Sequence, residues 1–257
     1  MRTRHTRIVI VLLVLAVAAG AFVIYGRGIW YPLLLRITGP RTVADAVAKY
    51  GPAARARLKP QFAKANVAYP PKQIAFLVFK REGRFALWVD GKFIRAYPIL
   101  AASGHAGPKL RQGDYQVPEG VYRIEFLNPN SSYHLSMKVS YPNEFDRRMA
   151  ARDSRKNLGG DIFIHGKNVS IGCVALGDPA IEELFTLAAD TGPQRIKVII
   201  APNDLRTGGA VLHETAPLWI GNLYRTIAAA LAPFPVWMES NSAIDVRGMS
   251  KAAPRFK

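Results

Sequence analysis

Residues 8–25 contain no charged side chain and read as one apolar helix. From 43 to 50 the apolar residues Val43, Ala46, Val47 and Tyr50 recur at helical spacing, and Gly51 is placed to stop the helix. Residues 52–66 predict a second short helix, interrupted at Pro60. After Pro70 and Pro71 the pattern becomes that of strands. The runs 74–80 and 84–90 are rich in branched and aromatic residues, and Asp90-Gly91 predicts a hairpin into 92–100. Further strands are expected at 121–127, 134–139, 161–165 and 195–200. Residues 143–153 read as an amphipathic helix. Residues 178–190 predict another, capped by Asp178, opened by Pro179 and lined on one face by Ile181, Leu184, Phe185 and Ala188. A last helix is expected at 218–231, before a basic tail at 251–257.

The expected body is mainly β with packed helices. Four regions follow: 1–30 as a signal anchor or signal peptide, 31–72 as linker and short helices, 73–203 as the catalytic body, and 204–257 as a helical appendix with a basic tail. An 18-residue apolar helix is about 27 Å long, close to the hydrocarbon thickness of a bilayer. Arg2, Arg4 and Arg7 precede it, which favours a cytoplasmic N-terminus and an exported body. Ala16-Val17-Ala18 and Ala19-Gly20-Ala21 resemble cleavage sites. The apolar run continues past both, which favours an uncleaved anchor.

Charge and cysteine count narrow the chemistry. The 257 residues carry a net charge of +17. Such a surface either favours polyanions or simply keeps the protein solvated. No nucleic-acid-reading motif and no zinc-spaced Cys/His set occurs, so neither nucleic acid nor a metal cofactor is expected. Cys173 is the only cysteine, which excludes an internal disulfide. His165 precedes it by eight residues, and each has a glycine neighbour, Gly166 and Gly172. A short strand can deliver His165 and a turn can return Cys173 beside it. Such a pair suits acyl transfer: thiol attack on an amide, a thioester, and release to an acceptor. The N–H groups of Gly172 and Cys173 are candidate oxyanion donors, and Ser170 and Gly166 are candidate supports. The same residues also fit an inert packing cysteine in a non-catalytic wall-binding module. His134 sits in an alternating segment, as a cleft-lining or a packing histidine. His105 sits in the loop 102–114, where a solvated position is expected, and His213 and His5 have no chemical company.

At these residues the chain resembles the YkuD-type L,D-transpeptidase catalytic domain. The motif is His165-Gly166 followed by Ser170-Ile171-Gly172-Cys173. Upstream stand Ser103-Gly104 and then Pro118-Glu119-Gly120-Val121-Tyr122. The stretches 127–153 and 157–178 are similar to the YafK-like murein L,D-transpeptidase subgroup. The spacer after His165-Gly166 is three residues here, where the family usually has more, and Ile171 and Ala175 replace commoner choices. The resemblance implies a catalytic β-sandwich, a Cys173 nucleophile with His165 as base, and substrate contacts from Ser103, Gly104 and His134. It implies peptidoglycan stem peptides as substrate, with diaminopimelate at the third position, and no cofactor. It also implies the periplasmic side of a bacterial envelope, anchored to the inner membrane or secreted. Transfer to an amine, or hydrolysis, including hydrolysis of a peptidoglycan–lipoprotein link, are both within its range. Lys109, Arg111, Lys138, Arg147 and Arg148 are candidates to hold stem carboxylates, or form a solvated face.

Overall fold

A computed structural model of the chain describes residues 2–104, 107–210 and 216–236. Helices α1 (Arg2–Tyr25), α2 (Arg27–Thr38) and α3 (Val43–Lys64) come first. Strands β1 (Ile74–Phe79), β2 (Arg84–Val89), β3 (Lys92–Pro98), β4 (Gly120–Asn128) and β5 (Ser136–Val139) follow. Then come α4 (Glu144–Arg152), β6 (Phe163–His165), β7 (Val174–Ala175), α5 (Asp178–Thr191), β8 (Ile196–Ala201) and α6 (Ile220–Leu231). The strands form one mixed sheet in the order β3-β2-β1-β8-β4-β5-β6-β7. The expected mainly β body with packed helices is present, and its sheet is a mixed-sheet half-barrel in place of the expected β-sandwich. The register breaks between Ile124 and Leu127, where β4 turns from β8 to β5.

Helices pack on both faces of the sheet, and the residues of β1 show why. All six are buried, so the strand is an unbroken apolar run. Phe76 and Val78 face the main core with Leu58 and Phe62 of α3 and Leu184 and Phe185 of α5. Ala75, Leu77 and Phe79 face a second core with Leu223, Ile227 and Leu231 of α6. Burying one such side chain contributes roughly 1.5–3 kcal/mol. The helix expected as an appendix is thus one wall of the body, and Asn203 at the expected boundary is buried.

The two short helices expected before the sheet are one helix, α3, which continues through Gly51, Pro52 and Pro60. Its start is fixed by a capping box between Thr42 and Asp45. Its course is fixed by docking to α5. Arg55 makes a bidentate pair with Asp190, at 2.8 and 2.7 Å. Buried Glu183 accepts from Arg57, Arg95 and Tyr97. Tertiary contact outweighs the local breakers. The cap of α5 is Gly177, because the Asp178 carboxylate is turned to Lys167.

Among the described residues no single helix is long and apolar enough to cross a membrane. The segments Val9–Val23 and Arg27–Thr38, bent by 72°, pass that test only as a pair. The basic tail, His105 and His213 lie outside the described residues.

A buried ion pair ties the second core to the loop beside the site. Lys80 Nζ donates to Glu119 Oε1 at 2.9 Å and to the Gly107 and Val117 carbonyls, and Tyr224 of α6 donates to Glu119 Oε2 at 2.9 Å. Lys80→Met alone leaves the carboxylate short of its cation and should cost about 3–5 kcal/mol by chemical denaturation. Lys80→Met with Glu119→Leu should recover most of that loss.

Candidate active site

Strand β6 runs between β5 and β7. Its parallel pairing with β7 sets Ile164 against Val174 and His165 against Ala175. Extending that register places Cys173 beside Phe163, two positions from His165. Side chains alternate along strands, so Cys173 and His165 fall on the same face. Both line a cleft of about 350 Å³. Its other walls include Asn128, Ser131, Tyr133, Ser136, Asp161 and Phe163. Ser136 is the cross-strand partner of His165. Sequence reasoning missed these wall residues. The signal available was the alternation of 134–139, which identifies a strand but not its neighbour.

His165 is buried, and the Tyr133 ring lies 4.7 Å away at 35°. Nδ1 lies 2.7 Å from the Gly166 carbonyl. A carbonyl only accepts, so Nδ1 carries the proton and Nε2 is left with the lone pair. Burial holds the imidazole below its ordinary pKa, and the Gly166 bond opposes this in part. The Cys173 thiol is pushed up, chiefly by burial, against the N–H of Phe163. Lys138 and Lys109 favour the thiolate, and Asp161 opposes it. Sγ accepts from Phe163 N at 3.4 Å and donates to the Asp161 carbonyl at 3.5 Å. The resting pair is a neutral thiol and a neutral imidazole, with no hydrogen bond between them.

The expected oxyanion donors are already engaged. Gly172 N–H donates to Ser103 Oγ at 2.5 Å, and Ser103 in turn donates to the Tyr115 carbonyl at 2.7 Å. Cys173 N–H donates to Ser170 Oγ at 2.9 Å, and that hydroxyl donates back to the Cys173 carbonyl at 2.7 Å. Half-buried turn amides need partners, and the two serine hydroxyls supply them. Ser103 thus holds the cysteine turn from a distant loop.

The glycines are required by geometry. Gly172 has φ +94°, and a Cβ on Gly104 (φ +102°) would fall 2.0 Å from Gln116 Oε1. A Cβ on Gly166 would fall 2.7 Å from Asp178 Oδ1 and 2.8 Å from the Tyr133 carbonyl.

His134 is not brought to the cleft. Its Nε2 lies 2.9 Å from Glu182 Oε1, and its ring makes an edge contact with Tyr50 at 4.9 Å. A second groove of about 670 Å³ borders Gly172 and Asp161 and is lined by Lys109, Arg147 and Lys156. Lys109 is paired with Asp114 at 2.5 Å, while Arg148 is exposed and paired with Glu144 on its own helix. Lys138 donates to the Gly160 carbonyl and sits 5.4 Å from the Phe163 ring centre.

Gly172→Ala should cost about 1–3 kcal/mol, since the left-handed backbone penalises a Cβ. Ser103→Ala should leave the Gly172 amide unpartnered and destabilise by about 1–3 kcal/mol. Denaturation curves check both, and wild-type stability in either variant would contradict the turn described.

Comparison with known proteins places the sequence in a family. A family model described as "L,D-transpeptidase catalytic domain" (YkuD) matches residues 73–200. The chain is 35% identical over 146 residues to YafK, a provisionally named L,D-transpeptidase of Escherichia coli, in two strains. That match takes in 53% of this chain and 57% of YafK, so the chain spans little more than half the length of these relatives. Among solved structures, the helical cell shape determining protein Pgp2 from Campylobacter jejuni is similar at 22% identity, with a TM-score of 0.42. That match covers 53% of this chain and 49% of Pgp2. L,D-transpeptidase 1 of Mycobacterium tuberculosis is similar at 15% identity, with a TM-score of 0.31, over 50% of this chain and 61% of that one. Through residues 73–200, which hold the sheet, His165 and Cys173, the chain belongs to the YkuD family of L,D-transpeptidase catalytic domains.

Proposed function

We propose that the protein is a peptidoglycan-acting cysteine acyltransferase, with Cys173 as nucleophile and His165 as general base. The observation that carries this reading is the shared cleft: His165 lines it from β6 and Cys173 from the turn just before β7. The substrate is a stem peptide with diaminopimelate at its third position. His165 Nε2 takes the thiol proton as Sγ attacks the carbonyl at the L-centre of that residue. The amide C–N bond breaks, and the imidazolium returns the proton to the leaving amine. A thioester on Cys173 remains. An amine or water then attacks it, giving its proton to Nε2, and the thiol is restored.

The neutral resting pair suits this order of events. The proton moves when substrate expels water from the cleft, not beforehand. The Cys173 N–H passes from Ser170 Oγ to the developing oxyanion, where one donor stabilises by roughly 3 kcal/mol. The apolar N-terminal segment serves as the inner-membrane anchor of a body on the periplasmic side. The three arginines before it and the absence of charge from 8 to 25 support that placement.

Purified protein incubated with tetrapeptide muropeptides, with and without an added amine, should give transfer or hydrolysis products by mass spectrometry. Cys173→Ala should abolish them while the fold persists, and full turnover in that variant refutes the role. His165→Gln should lower kcat by roughly 10²–10⁴-fold. Neutral His165 is the active form and burial lowers its pKa, so kcat/KM should rise with pH through a midpoint below the ordinary histidine value. A midpoint above that value would contradict the base assignment.

A further inference from the structure

The α6 face of the sheet is not fully covered. At the end where β1 and β8 begin, a pocket of about 480 Å³ stays open, with Phe234, just beyond α6, on its rim. It shares no lining residue with the cleft of Cys173. Its floor is one row across four strands. Trp88 of β2 lies opposite Ala75 of β1, Ala75 opposite Lys197 of β8, and Lys197 opposite Arg123 of β4. Two cations thus stand directly opposite each other on neighbouring strands, an arrangement that repels. Lys72 and Arg195 add two more charges to the same lining. Among the described residues none of the four cations pairs with a carboxylate. Asp90 is the one acid in the lining, and its Oδ1 accepts from the Gln73 amide at 3.1 Å. Glu125, the next residue on the Arg123 side of β4, gives its carbonyl to Gln194.

We propose that this pocket binds a phosphate ester. A concave surface of one sign concentrates counter-ions, and a doubly charged phosphate can satisfy Arg123 and Lys197 together. A carboxylate carries one charge and would leave the second cation uncompensated. The volume exceeds that of a phosphate ion and lies in the range of small-molecule sites. Ala75, Trp88 and Phe234 supply an apolar wall for the organic part of the ester. The ester is a monoester, either a soluble molecule or the headgroup of phosphatidic acid, and both present the same doubly charged group to the same cations.

The test uses the full chain in micelles of an uncharged detergent, at physiological salt. Binding of inorganic phosphate, glycerol phosphate and micelles doped with phosphatidic acid is measured by calorimetry. The three proteins are wild type, Arg123→Gln/Lys197→Gln and Arg148→Gln. The double variant should bind glycerol phosphate, or the doped micelles, about tenfold more weakly than wild type or worse. Arg148→Gln, which alters an exposed pair on α4, should bind as wild type does. A loss seen with glycerol phosphate assigns a soluble ester, and a loss confined to the doped micelles assigns the headgroup. The Trp88 indole N–H resonance should shift and saturate with the same affinity in wild type. Equal binding by all three proteins for every probe, or saturation without movement of the Trp88 signal, overturns the proposal.

Discussion

Two steps of parallel pairing, Ile164 with Val174 and His165 with Ala175, set the geometry of the candidate site. Side chains alternate along a strand, so a slip of one residue would turn Cys173 away from His165. β7 is only two residues long and cannot hold its register alone. Its neighbours hold it. Leu100 and Ala101 bond to Ala175, Leu176 bonds to the His165 carbonyl, and Gly177 bonds to the Lys167 carbonyl. Ser103 then grips the amide of Gly172 from the loop that follows. The loop carrying Ser103 is in turn moored by Lys80 and Glu119, and Glu119 is bonded by Tyr224. The C-terminal helix is therefore linked to the cysteine turn through buried polar contacts, not only through shared apolar surface.

The electrostatics of the site follow from this enclosure. Burial disfavours charge on both partners, raising the thiol and lowering the imidazole. An activated thiolate facing an imidazolium would need more stabilisation than one N–H and two distant lysines provide. The site instead keeps the proton on sulfur and leaves Nε2 free to take it.

Much of the scaffold was legible in the chain. Asp90-Gly91 marks the hairpin and both residues adopt positive φ. Pro179 and the spacing of Ile181, Leu184 and Phe185 mark α5. What was not legible depends on contacts distant in sequence. Pro52 and Pro60 argue against one helix, yet Leu58 and Phe62 are buried in the main core and Arg55 and Arg57 pair with Asp190, Glu182 and Glu183, contacts no local pattern shows. Ile220, Leu223 and Ile227 mark an apolar face but do not say which surface it covers. The motif around Cys173 identified a thiol and an imidazole, but not that two serine hydroxyls occupy the turn amides. Nor could the spacing show His134 committed to Glu182, or Arg123 opposite Lys197.

The most direct measurement is the ionisation of Cys173 in the free protein, followed by the ultraviolet absorbance of the thiolate across pH, with Cys173→Ala as the blank. The chain has one cysteine, so the signal belongs to a single residue. A thiol that ionises only above its ordinary value, in step with the enclosed geometry, is the predicted result. A thiolate already formed at or below neutral pH would mean a resting ion pair with His165, and would contradict the neutral pair on which the account is built.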